Sequence, residues 1–185
     1  MSQNIVAKTR EFVKNAFVDN PSYSFGDWSV MYEHSILVQQ IALLISSTVN
    51  ADKFVISVAS LLHDIGKTHD ADEKTLHAEH EKFNLAMCEK FLDGLDMSEG
   101  NRIKIKRIIS FEEVSVETKI IKDADALAFY ADKRLHTLFL EWATKNGYDA
   151  DIEKKLDKFS KLNFDISKTT GKAWFEQIKR DWKRA

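Results

Sequence analysis

Apolar residues recur along this chain at the three- and four-residue spacing that marks one face of a helix. Ile5, Val6, Thr9, Phe12, Val13, Ala16 and Phe17 form one such stripe. His34, Leu37, Val38, Ile41, Leu44 and Ile45 form a second. A third helix is predicted from about Lys53 to His63, with Asp52 near its start as a cap or dipole partner. A fourth is predicted to follow His77 and to stop near Gly94. Further helices are predicted near Asn101–Ile109, Glu117–Asp132, Leu135–Lys145, Ile152–Leu162 and Thr169–Lys183. Pro21 to Trp28 and Asp70 to Lys74 read as loops. Val114 to Ile121 alternates somewhat and is compatible with a short strand. No internal repeat, low-complexity linker or glycine-rich phosphate loop interrupts the pattern. The expectation is an all-α protein, a single helical bundle of about eight or nine helices. Residues 1–185 are expected to form one domain, with a core at about 25–135 and a C-terminal helical extension at 147–185.

Composition narrows the class. The chain has 185 residues, 44% hydrophobic and 30% charged, with a single proline and six glycines, the balance of a soluble helical domain. A net charge of −2 offers no basic field for nucleic acid. The basic stretch from Lys168 to Arg184 is interrupted by Glu176 and Asp181 and reads as a solvated face. The longest uncharged run, Ser35 to Ala51, is too rich in Gln, Ser, Thr and Asn to span a membrane. Lys8 and Arg10 are reached without the apolar core of a secretory signal, so a cytoplasmic setting is expected. Cys88, alone, has no intramolecular disulfide partner and reads as a buried structural thiol.

Against this background a few polar residues stand out. His34 sits inside an apolar stripe, where a lone histidine is more often a hydrogen-bonded core residue than a ligand. His63 and Asp64 follow an apolar run and precede Gly66. Adjacent residues on a regular helix point about 100° apart. At a helix end that restriction relaxes, and both side chains can meet one ion. Asp123 and Asp125 flank the stripe of Ile120, Ile121, Ala124, Leu127 and Ala128, and periodicity does not choose between them. Each group is costly to bury alone, and a shared metal would remove that cost.

At these residues the chain resembles the HD-domain metal-dependent phosphohydrolases. Trp28 with His34 looks like the family's first motif, Ala59 to Lys67 like its second, and Lys119 to Leu127 like its last. The resemblance covers roughly Trp28 to Asp132. It implies His34, His63, Asp64 and Asp125 as ligands of one divalent ion (Mn, Mg, Co, Ni or Fe) and leaves Asp123 behind them. It implies that Asp64 both binds the ion and orients a water, and that Lys67 meets phosphate oxygens. In two-metal relatives a histidine near position 77 binds a second ion, helped by further histidines before the final Asp. Here Ile108 to Glu113 carries none, so His77 is read as a phosphate contact or a proton donor. His80, His69 and His136 are read as surface or structural, and Glu112 or Glu113, either of which could replace a missing ligand, as solvated.

The implied activity is hydrolysis of a phosphomonoester or phosphoanhydride of a small molecule, to be sought first among nucleotides. The partner is then a small phosphorylated substrate, with nucleic acid and membrane not expected and a homo-oligomer compatible with the sequence. The absence of a GYP-type motif lowers the cyclic dinucleotide option. Two other readings fit the same bundle: a di-iron oxygenase, which needs the histidine this chain lacks, and a catalytically silent metal-binding module.

Overall fold

The computed structural model describes residues 2–20, 25–112 and 114–183. Nine α-helices and two 3-10 turns, without a strand, make up these residues. They are α1 (Ser2–Asp19), α2 (Trp28–Ser46), α3 (Lys53–Leu62), α4 (Glu73–Asp93), α5 (Glu99–Ile109), α6 (Val116–Ala131), α7 (Lys133–Asn146), α8 (Asp149–Asp157) and α9 (Asp165–Trp182). The 3-10 turns are Ile65–Thr68, after α3, and Lys158–Lys161, after α8. No described helix is long and apolar enough to cross a membrane.

Short polar side chains start most of these helices by accepting the free amides of the first turn. Asp27 accepts from Ser29, Asp52 from Phe54 and Val55, Ser98 from Asn101, and Asp132 from Leu135. Capping also explains where the structure departs from the sequence reading. Asp72 accepts the Thr75 amide, so α4 begins at Glu73 and the loop expected at Asp70–Lys74 ends early. His77 is therefore inside α4. Ser115 accepts the Thr118 amide and opens α6, and the short alternation after Val114 yields helix rather than strand. The loop expected at Pro21–Trp28 ends at the cap Asp27, and its residues 21–24 lie outside the described residues. The single helix expected at Ile152–Leu162 is instead α8 running into a 3-10 turn, and α9 begins at Asp165 rather than Thr169.

α2 and α6 lie against each other at the centre, with α1 and α3 beside α2, α5 beside α3 and α9 on α6. Val38, Ile41, Ile45, Val58, Leu61, Leu62, Ile105, Ile108, Ile120, Ala124 and Leu127 are buried between them. Leu44, expected on the buried stripe of α2, is 48% exposed. Gly147, with φ at 73°, takes the left-handed conformation that ends α7 and turns the chain back. The segment after it then packs on α6: Phe159 stacks on Phe175, and Phe175 meets the edge of Tyr130. The polar centre of the bundle lies where α2, the end of α3 and α6 meet.

Candidate metal centre

Three elements bring four ligand-type side chains together. His34 projects from the buried face of α2. His63 is the C-cap of α3, and Asp64 follows it with φ −115° and ψ 10°, off the helical path. That change of direction lets two adjacent residues converge. Asp125 comes from α6. One donor atom from each of the four lies within 4.8 Å of the others. His34 Nε2 is 3.2 Å from Asp125 Oδ1 and 3.9 Å from Asp64 Oδ2. His63 Nε2 is 3.5 Å from Asp64 Oδ2 and 3.8 Å from Asp125 Oδ1. Ligands about 2.1 Å from a common ion stand about 3.0 to 4.2 Å apart, so these spacings fit a shared metal.

The His63 ring is oriented for such a role. Its Nδ1 is 2.7 Å from the Ser60 carbonyl, which can only accept, so Nδ1 carries the hydrogen. Nε2 faces two carboxylate oxygens and is buried without a hydrogen-bond partner among the described residues, and in the neutral ring it has a lone pair free for an ion. Burial would raise both aspartates. For Asp64 the neighbours His63, Lys67 and His80 outweigh it and hold the carboxyl well below the usual range. For Asp125, Lys158, His34 and His63 do the same. The centre therefore presents two carboxylates and two imidazoles, a donor set suited to a divalent transition metal.

Around it the remaining candidates separate. Asp123 turns away from the cluster and accepts the Asn163 amide at 2.9 Å and the Phe164 amide at 3.1 Å, fastening α9 to α6. Lys67 sits on the cluster itself, its ammonium 2.5 Å from Asp64 Oδ2. His77 meets Asp151 Oδ2 at 3.1 Å, with its ring among Phe139, Trp142 and Tyr148. Burial lowers its pKa against the pull of Asp151. His69 stacks on Phe83, His136 is buried beside Asp181, and Glu112 is exposed. Glu113 lies outside the described residues. Cys88 is buried, and that burial pushes its thiol up to about 12.

Four residues of the site were missed by sequence reasoning. His80, read as surface, places Nε2 3.0 Å from Asp64 Oδ1. Its spacing from His77 on one helix was the available signal. Asn84, one turn further, donates to the carbonyls of His63 and Ile109 and accepts the Gly66 amide, tying the His63–Gly66 turn to α4 and α5. Gly66 is required there, because a Cβ would stand 2.0 Å from the His80 carbonyl oxygen. Lys158 contacts Asp125 Oδ2 at 3.0 Å, and Lys155 stands beside it. Nothing local in the sequence marked these two lysines.

The centre lies where two cavities adjoin. One, of about 340 Å³, is lined by His63, Asp64, Lys122, Lys155, Lys158 and Lys161, among others. The other, of about 310 Å³, is lined by Phe25, Met31, Phe129 and Phe139 together with His34, His77, Asp151 and Lys154, among others. Lys67, His80, Glu81, Asp125, Lys155 and Lys158 border both.

The chain is similar in fold to known proteins. Solved structures that superpose along its whole length include an HD-superfamily hydrolase from Bacillus thuringiensis, at TM-score 0.73 and 20% identity over 100% of this chain and 96% of that one. YpgQ of Bacillus subtilis, solved in complex with ADP, matches at TM-score 0.68 and 18% identity over 99% and 94%. The Lin1889 protein of Listeria innocua matches at 0.65 and 19% over 100% and 94%. No curated protein matches the sequence. The HD-domain family model matches residues 31–130, a span that runs from the turn before His34 to just past Asp125. With more than half its length in that match and all four candidate ligands inside it, the chain belongs to the HD-domain family.

Proposed function

We propose that the protein is a metal-dependent phosphohydrolase that cleaves a phosphomonoester or phosphoanhydride of a small molecule, with a nucleotide as the substrate. The observation that carries this reading is the four-residue cluster within 4.8 Å, opening onto a cleft bordered by lysines. His34, His63, Asp64 and Asp125 would hold one divalent ion of the Mn, Mg, Co, Ni or Fe type. Such an ion, when bound, polarises a phosphoryl oxygen and acidifies water near neutral pH.

The chain's own groups do the rest. Asp64 orients the attacking water, and His80 on its Oδ1 keeps the carboxylate from rotating. Lys67 offers its ammonium to the phosphoryl oxygens and offsets the charge that builds there. His77 delivers a proton to the leaving oxygen, and Asp151, at 3.1 Å, orients its ring. In the second cavity the rings of Phe129 and Phe139 offer apolar faces to a planar organic group. The ADP found with YpgQ, a protein of the same fold, supports a nucleotide as that group.

The test is a screen of nucleotides and sugar phosphates with each of the five metals. The expected result is phosphate release that chelation abolishes and one of the metals restores. Release from no substrate with any metal would overturn the reading, and iron-dependent oxygen consumption would replace it with an oxygenase.

A further inference from the structure

The charges around the centre do not balance pair by pair. Lys67 takes Asp64, and Lys158 takes Asp125. Lys155 is left over. Among the described residues no carboxylate lies within ion-pair distance of its ammonium. Its near neighbours are the rings of Phe129, at 5.0 Å, and Phe139, at 5.7 Å. The residue is held in place: Tyr130 donates its hydroxyl to the Lys155 carbonyl at 2.6 Å, and Ile152 anchors the same helix in the core. Its ammonium borders both cavities beside Asp125.

An ammonium kept partly dry with no carboxylate at ion-pair distance, only the longer-range pull of Asp125 and Asp64, is unfavourable. Burial, with Lys158 close by, pushes this amine down to about 8. A surface lysine would extend into water and avoid this. Here the stem runs along two aromatic rings and the charge ends in the cleft. The group that would satisfy it must be anionic, must enter the cleft, and must stand next to the candidate metal centre. A phosphate meets all three requirements, and lysine binds it as a point charge.

We propose that Lys155 is a phosphate-binding residue of the cleft, contributed by α8 from outside the matched HD region, so that the segment after Gly147 completes the site. This rests on the phosphohydrolase reading and assigns that reading a specificity-determining residue. Lys158, paired with Asp125 at 3.0 Å and close to Lys155, is the second cation that such a phosphate would meet.

The experiment uses the full chain loaded with Mg²⁺ and inorganic phosphate as the probe, with binding followed by calorimetry. Lys155→Met keeps the stem on the rings and removes the charge. Its phosphate affinity is expected to fall at least about ten-fold, the loss of one charge-assisted hydrogen bond. Lys155→Arg is expected to stay within about three-fold, and Lys168→Met, an exposed lysine on α9, to match the wild type. With a substrate from the screen, Lys155→Met should raise KM more than it lowers kcat. In the wild type, phosphate should also protect Lys155 from reductive methylation, read by peptide mass spectrometry, which keeps the test open should Lys155→Met fail to fold. Unchanged phosphate affinity in Lys155→Met, or no protection of Lys155 in the wild type, overturns the proposal and leaves the phosphohydrolase reading standing. A metal-loaded wild type that binds no phosphate overturns the reading beneath it.

Discussion

Asp64 uses its two carboxylate oxygens differently. Oδ2 faces His34, His63 and Lys67, and Oδ1 is engaged by His80. Asp64→Ala is therefore expected to lose hydrolysis and metal binding together, checked by assay and by metal analysis of the same preparation. His77→Ala is expected to keep its metal and to lose roughly 10² to 10⁴ in turnover, the usual range for a proton donor. A second, pH-dependent expectation concerns Lys155. Burial and Lys158 put its folded pKa at about 8, below the ordinary lysine value of about 10.4. Asp125 and Asp64 act in the opposite direction, and Lys67 adds to the lowering. Between those two pH values the unfolded chain holds the proton and the folded chain does not, so this residue makes stability rise with pH there. Urea midpoints at pH 7.5 and 9.5 should show that rise in the wild type and lose part of it in Lys155→Met. At this scale the sequence made the four clustered residues legible because histidine and aspartate are conspicuous beside apolar stripes. His80, Asn84, Lys155 and Lys158 sit in charged stretches, where the same residue types ordinarily face water.

The turn between α3 and α4 decides whether the ligands converge. Ile65–Thr68 packs directly on α4, and Asn84 joins the two by accepting the Gly66 amide at 2.8 Å and donating to the His63 carbonyl at 2.5 Å. A methyl at position 66 would meet the His80 carbonyl oxygen at 2.0 Å and the Asn84 amide nitrogen at 2.9 Å, both backbone atoms that a rotamer change cannot move. Gly66→Ala is expected to destabilise the fold by at least the roughly 1–3 kcal/mol of an overpacked core. It should weaken metal binding as well, because His63 and Asp64 lie on the displaced turn. Denaturant unfolding together with metal titration checks both effects, and a variant with wild-type values in both would contradict this account of the turn. Apolar periodicity made α1, α2, α3, α5, α6 and α7 legible in advance, and only for α3 was the cap, Asp52, read as well. The start of α4 was not legible, because its first turn is polar and only the Asp72 cap distinguishes it from loop.

The whole molecule is a bundle whose distant parts meet at one point. Lys158 reaches Asp125 across 33 residues and Asp151 reaches His77 across 74. Such pairings leave no trace in local periodicity, which is why the helical class and the HD motifs were readable while the part played by residues after Gly147 was not. Asp123 shows the same limit: its neighbour Asp125 joins the cluster, and it instead anchors the backbone at Asn163 and Phe164. The account's central claim is that His34, His63, Asp64 and Asp125 together hold a single metal ion. The most direct measurement is anomalous diffraction from crystals of the wild type soaked in Mn²⁺. One manganese per chain is expected, bonded to all four side chains at roughly 2.0–2.3 Å. A manganese bound elsewhere, or a second one coordinated by His77 or His80, would contradict it.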